Sequence, residues 1–110
     1  MRFALGAAVL IVVSGRLLAS DADGQAALEL GKDVFTSLAE PRCSVCHTLA
    51  DAGAAGKVGP SLDEQQPTED DVKLSIMEGG GVMPPYAGIL TPEQIDAVAK
   101  YVSSVAGKTQ

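Results

Sequence analysis

Both cysteines and the sole histidine of this 110-residue chain fall within five consecutive positions, Cys43-Ser44-Val45-Cys46-His47. The chemistry of the chain converges on this point, because no other cysteine or histidine exists for it to use. Little else is available to build a core. Beyond residue 22 the aromatics are Phe35, Tyr86 and Tyr101, and there is no tryptophan. At this length an ordinary apolar core is close to the lower limit of self-sufficiency. Something other than side chains has to fill the middle.

The pattern around the cluster is helical. Ala27, Leu30, Val34, Phe35 and Leu38 recur three and four apart between Asp23 and Glu40, one buried stripe, with Pro41 as the stop. Residues 48–67 are rich in Ala, Gly and Pro without sustained period and predict a long loop with short turns. Thr68 caps a second helix whose first turn carries Glu69, Asp70 and Asp71, where the helix dipole favours negative charge. Val72, Ile76 and Met77 form its apolar face, with Met77 a flexible core filler, and Gly79 to Gly81 end it. The last helix has the fullest signature: Thr91 as cap, Pro92 at the first helical position, Gln94 completing a capping box, and a stripe of Ile95, Val98, Tyr101, Val102 and Val105 up to Gly107. No strand pattern and no internal repeat is present.

Met1-Arg2, the apolar run from Phe3 to Val13 and the small residues that follow read as a secretory signal peptide over residues 1–22. Ala22, with Ser20 two positions before it, satisfies the small-x-small cleavage rule better than Ala19, the alternative site. Arg16 interrupts the apolar run before the roughly 20 residues that a retained span requires. The mature chain, 23–110, is then a single domain with no stable membrane insertion. Eight Lys and Arg against 14 Asp and Glu give a formal charge of −6; without Arg2, Arg16 and Asp21 the mature charge is −7. Nucleic acid is excluded as a partner on this balance. Asp63, Glu64, Glu69, Asp70 and Asp71 read as a solvated face and a negatively charged helix start.

Three chemistries use the Cys-x-x-Cys-His spacing. Structural zinc takes four ligands, and after Cys43, Cys46 and His47 none remains. A thioredoxin-like centre needs a strand and a βαβ context, which this chain lacks. Covalent haem uses both thiols on the two vinyl groups of the porphyrin and the adjacent imidazole on the iron, in an exported protein. An ordinary Cys43–Cys46 disulfide beside a surface histidine is the plain alternative. Haem is preferred because it also supplies the missing core, as a large apolar disc. The ligand opposite His47 then has two candidates: Met77, on the second helix, and Met83, in "GGGVMPPYAGIL", a loop stiffened by Pro84 and Pro85.

Taken together, a helix, "CSVCH", "VGPSL", "GVMPPY" and a closing helix resemble the class I cytochrome c family over essentially the whole mature chain. The resemblance implies an all-α cytochrome c fold, three or more short helices around one covalent haem with long Gly/Pro-rich loops. It makes Met83 the distal iron ligand and Pro60 the residue whose carbonyl accepts a hydrogen bond from the His47 ring. It also puts Gly31 and Phe35 against Tyr101 at a steep crossing of the first and last helices. Tyr86, just past the methionine, is expected either at the haem edge, where it can reach a propionate, or on the surface.

More narrowly, the chain is similar to small bacterial cytochromes that take electrons from periplasmic dehydrogenases, including those of sulfite oxidation. It departs from mitochondrial-type relatives, which carry a ring of lysines at the haem edge. The resemblance implies a periplasmic electron carrier, not an enzyme, with a dehydrogenase as donor and an oxidase or another cytochrome as acceptor. Two competing readings remain. One is a haem-based ligand-binding or catalytic protein with a displaceable Met83, although residues 79–92 hold no His, Arg, Asp or Glu. The other is a haem subunit of a larger dehydrogenase.

Overall fold

The computed structural model describes residues 6, 9–11 and 16–108. Helix α1 (Arg16–Asp33) continues into a single π-helical turn (Val34–Leu38), and a one-turn helix α2 (Cys43–Cys46) follows after Pro41. Two two-residue strands, β1 (Thr48–Leu49) and β2 (Ala54–Ala55), pair antiparallel around a 3-10 turn at Ala50–Ala52. Helices α3 (Leu62–Gln65), α4 (Glu69–Glu78) and α5 (Pro92–Val105) complete the order. Much of the leader expected over 1–22 lies outside the described residues. Helix α1 runs without a break across Ala22 and Asp23. Among the described residues no helix is long and apolar enough to cross a membrane.

The core forms where α1 and its π turn cross α5. Gly31 sits at the crossing: a Cβ there would lie inside contact distance of the Ala97 carbonyl oxygen and 2.5 Å from the Tyr101 Cβ. Phe35 and Tyr101, both buried, meet edge to face with ring centroids 6.3 Å apart, an arrangement contributing about 1 kcal/mol beyond area burial. The Tyr101 hydroxyl donates to Asp51 Oδ2 at 2.5 Å, and Lys32 Nζ approaches the same oxygen at 3.8 Å. Burial, this bond and the charges of Asp51 and Asp63 all push the Tyr101 phenol pKa upward. Gly31→Ala is therefore expected to cost about 3 kcal/mol, the upper part of the overpacking range. Equilibrium urea unfolding measures it, and a loss below about 0.5 kcal/mol would mean that the crossing can open without cost.

Four expectations from the sequence need correction. Leu38 is 50% exposed and Ala39 fully buried in its place. The Ala39 N–H bonds to Val34 O, five residues back, and this wider turn advances the inward position by one residue. The loop over 48–67 contains the β1–β2 pair, which is too short and too alanine-rich to produce an alternating pattern. Met77 is 45% exposed: Val72 and Ile76, four apart, turn the buried face of α4 inward and leave Met77 outside it. Asp63, read as part of a solvated face, is buried and accepts backbone N–H groups from Ala50 and Gly107.

The last helix is as the sequence predicts. Thr91 accepts from Gln94 N at 3.1 Å, the Gln94 side chain accepts from Thr91 N at 2.9 Å, and Pro92 occupies the first turn. Thr68 caps α4 by accepting from Asp71 N. Gly79, with φ of +66°, ends that helix as a position an L side chain rarely adopts.

Candidate haem site

The single turn of α2 sets Cys43 and Cys46 three apart, hence on one side, and delivers the chain to His47, whose N–H closes the turn on the Cys43 carbonyl. Neither cysteine is in a disulfide. Burial raises the Cys43 thiol pKa to about 11, a backbone hydrogen bond opposes the rise, and neighbouring Cys46 adds to it. The loop from Gly56 to Pro60 lies flat against this turn. Cβ atoms at Gly56 and Gly59 would come within 2.5 Å of the Val45 carbonyl oxygen and of His47 Cε1 respectively. The Gly59 N–H bonds to the Cys46 carbonyl at 2.7 Å.

His47 Nδ1 lies 2.8 Å from the Pro60 carbonyl oxygen. A carbonyl can only accept, so the ring proton sits on Nδ1 and the Nε2 lone pair is left free for a metal. Such a bond fixes the ring orientation and raises the basicity of the ligand. The Met83 loop holds itself together: Gly80 N bonds to Met83 O at 3.0 Å and Met83 N to Gly80 O at 2.9 Å. Gly79 permits this approach, since a Cβ there would meet Met83 O at 2.6 Å. Tyr86 fastens the far end through its N–H to Ile76 O at 2.8 Å and its hydroxyl to Pro41 O at 2.5 Å. Tyr86 is thus buried beside the cysteines, its phenol pKa raised to about 12 by burial first and then by Cys43, Cys46 and Glu40. Pro41 takes the hydroxyl that the sequence reading offered to a propionate.

A cavity of about 500 Å³ opens between these pieces, walled by Phe35, Val72, Ile76, Val98 and Val102 and reached by Cys43, His47, Pro60 and Met83. A second, of about 270 Å³, shares those last four residues and adds Cys46, Tyr86 and the exposed Val58 and Val82. They are two lobes of one apolar cleft of the size a cofactor occupies. Met83 reaches the cleft and Met77 does not line it. The two thiols, an imidazole with a free Nε2, a thioether and apolar walls form a donor set that fits haem. Asp71, read from sequence as a helix-start charge, stands exposed at the mouth of the larger lobe, a placement the chain order alone does not reveal.

Comparison with known proteins agrees with this arrangement. Residues 26–102 match the family model described as cytochrome c oxidase, cbb3-type, subunit III. The chain is 33% identical over 85 residues to cytochrome c6 of Bryopsis maxima, covering 68% of this chain and 88% of that protein. It is 32% identical over 80 residues to the quinohemoprotein alcohol dehydrogenase ADH-IIG of Pseudomonas putida, a match to 10% of that protein's length and 70% of this chain. The c-type cytochrome SorU from Sinorhizobium meliloti superposes with a TM-score of 0.74 at 51% identity, covering 76% of this chain and 95% of that one. The chain belongs to the class I cytochrome c family, and its likeness to cytochrome c6 and SorU supports a monohaem electron-transfer cytochrome. Membership implies covalently bound haem c with its iron.

Proposed function

We propose that this protein is a periplasmic one-electron carrier with a single haem c, attached through Cys43 and Cys46 and ligated by His47 and Met83. The observation that carries the proposal is the His47 Nδ1 to Pro60 carbonyl bond, which leaves Nε2 free in a cleft that Met83 also lines. When bound, the haem supplies a one-electron Fe(III)/Fe(II) couple that makes and breaks no bonds in a substrate. The Pro60 carbonyl holds the imidazole in one orientation and keeps its proton on Nδ1. The Met83 thioether, a soft donor, favours the ferrous state, and the apolar walls exclude water and disfavour the extra ferric charge. Both effects suit an acceptor of electrons from a dehydrogenase.

The donor we infer is a periplasmic dehydrogenase of the sulfite-oxidising kind, and the acceptor an oxidase or another cytochrome. Its support is the resemblance of "CSVCHTLADAGAAGKVGPSLDE" and "GVMPPYAGILTPEQIDAVAKYVSSVAG" to the small bacterial cytochromes that serve such enzymes, together with the 51% identity to SorU. The periplasmic assignment rests on the leader over residues 1–22. Partner contact is transient, through an interface below about 1,200 Å² in total, with an encounter rate that depends on salt. The match to ADH-IIG favours a second reading, in which the chain serves as the haem subunit of a larger dehydrogenase. Copurification of a cofactor-bearing partner distinguishes it from a free carrier.

The test is the visible spectrum, oxidised and dithionite-reduced, of protein exported with the haem maturation machinery. A low-spin c-type spectrum with the weak far-red iron-to-methionine band in the oxidised form is expected. A high-spin spectrum without that band would overturn the ligation and point to an open iron that binds ligands.

A further inference from the structure

Asp63 is an unusual group to find inside so small a protein. It is 8% exposed, at the second position of α3 (Leu62–Gln65), where an acidic side chain ordinarily faces water and the helix dipole. Its carboxylate turns inward and uses both oxygens: Oδ2 accepts from Ala50 N at 2.7 Å and Oδ1 from Gly107 N at 2.8 Å. Backbone N–H groups donating to a buried carboxylate form charge-assisted bonds, and losing one leaves a group that is costly to bury.

The position of the first of these bonds is what carries the inference. His47 Nδ1 meets Pro60 O across thirteen residues, and Ala50 N meets Asp63 Oδ2 across thirteen residues. Ala50 is three past His47 and Asp63 three past Pro60. The two bonds are successive rungs between the same two stretches of chain, one stretch bearing the imidazole and the other its acceptor. Leu49, fully buried, sits between the rungs on the His47 side. The second oxygen ties this ladder to the end of α5. Gly107, with φ of +74°, packs so closely on Gln66 that a Cβ would lie 2.6 Å from the Gln66 Cδ.

We propose that Asp63 is a positioning residue for His47: its Oδ2 locks the segment after His47 to the segment after Pro60 and so holds the imidazole on its Pro60 acceptor, while its Oδ1 fastens that ladder to the end of α5. This rests on the reading of His47 as the axial ligand. Only a carboxylate serves both donors. Asparagine keeps one acceptor oxygen and turns an NH2 group toward the other backbone N–H, donor against donor. Loosening the Pro60 bond makes the imidazole a weaker base, and removing the carboxylate withdraws a buried negative charge from the neighbourhood of the cleft. Both changes disfavour the ferric state and raise the potential.

The experiment compares haem-loaded wild type, Asp63→Asn and a chain ending at Ala106, which lacks the Gly107 donor but keeps the Ala50 rung. Spectra come first: the wild type is expected to give the low-spin spectrum, and a His47→Ala variant that keeps it refutes the axial-ligand reading itself. With that spectrum in hand, Asp63→Asn is expected to shift the reduced-to-oxidised ratio at the wild-type midpoint at least threefold toward reduced, about 28 mV at 59 mV per tenfold for one electron. It should also speed exchange of the His47 Nδ1 proton. The chain ending at Ala106 sets a new terminal carboxylate beside Asp63 Oδ1 in place of the Gly107 donor, so it is expected to lose thermal stability without any shift toward reduced. A purely structural role predicts lower stability in both variants, with no shift toward reduced and no faster imidazole exchange in either, and that result overturns the proposal. If Asp63→Asn does not accumulate, exchange in the wild type decides. Protection of the Ala50 amide together with the His47 Nδ1 proton supports the ladder, and an Ala50 amide exchanging freely beside a protected imidazole proton refutes it.

Discussion

Met83→Ala is expected to leave the haem covalently attached while abolishing low-spin His/Met ligation. The side chain is half-buried and lies against the core. Its loop is closed by backbone bonds between Gly80 and Met83 that do not involve it. The substitution therefore removes the thioether without unravelling its support. Stability should fall by about 2 kcal/mol, the lower end for a Met→Ala truncation. The far-red band of the oxidised protein should vanish, and the potential should fall with the loss of a donor that favours the ferrous state. Met77→Ala is the control. Met77 is 45% exposed and lies outside the cleft, so its loss should keep the band and cost under about 0.5 kcal/mol. Absorption spectra of the two variants decide it, and loss of the band in Met77→Ala with retention in Met83→Ala would transfer the ligand to α4.

The larger structural effect is expected from Cys43→Ser/Cys46→Ser. Serine is nearly isosteric and leaves the α2 turn intact, so the change acts through attachment of the cofactor. Without it the cleft of about 500 Å³ among Phe35, Val72, Ile76, Val98 and Val102 has nothing to fill it. The penalty for unfilled core space grows with its volume, and a domain of this size has only about 5–15 kcal/mol of stability to lose. The expected outcome is loss of a cooperative thermal transition and of much of the far-UV helical signal. A folded, haem-free double variant melting sharply would show that the helices make a sufficient core by themselves.

How far the sequence spoke depended on the range of the interaction concerned. Helix α5 was legible down to its cap because every signal, Thr91, Pro92, Gln94 and the stripe from Ile95, acts within a few residues. The Cys-x-x-Cys-His spacing pointed to His47 locally, whereas Pro60, Gly31 and Tyr101 were named by the family resemblance, and the structure brings His47 to Pro60 and Gly31 to Tyr101 as that resemblance implies. Leu38 misled because a 3.6-residue period assumes a regular helix, and nothing local announces the π turn that places Ala39 inside. Asp63 misled for a different reason. Its partners, Ala50 and Gly107, are 13 and 44 residues away and are backbone amides, which carry no side-chain signature. Tyr86 is similar: its acceptor is the Pro41 carbonyl, 45 residues distant.

The attachment of the Met83 loop separates two kinds of heritable change. Gly79 N and Tyr86 N bond to the carbonyls of Ser75 and Ile76, neighbours in the last turn of α4. Residues 80–85 are thereby a cassette clipped at both ends to one helix, with their own internal closure. With Met83 as the proposed iron ligand, substitutions among those six positions would retune the affinity of the iron for an electron and leave the crossing of α1 and α5 untouched. On that reading, a new potential needs changes in one short stretch of chain and none in the scaffold that holds it.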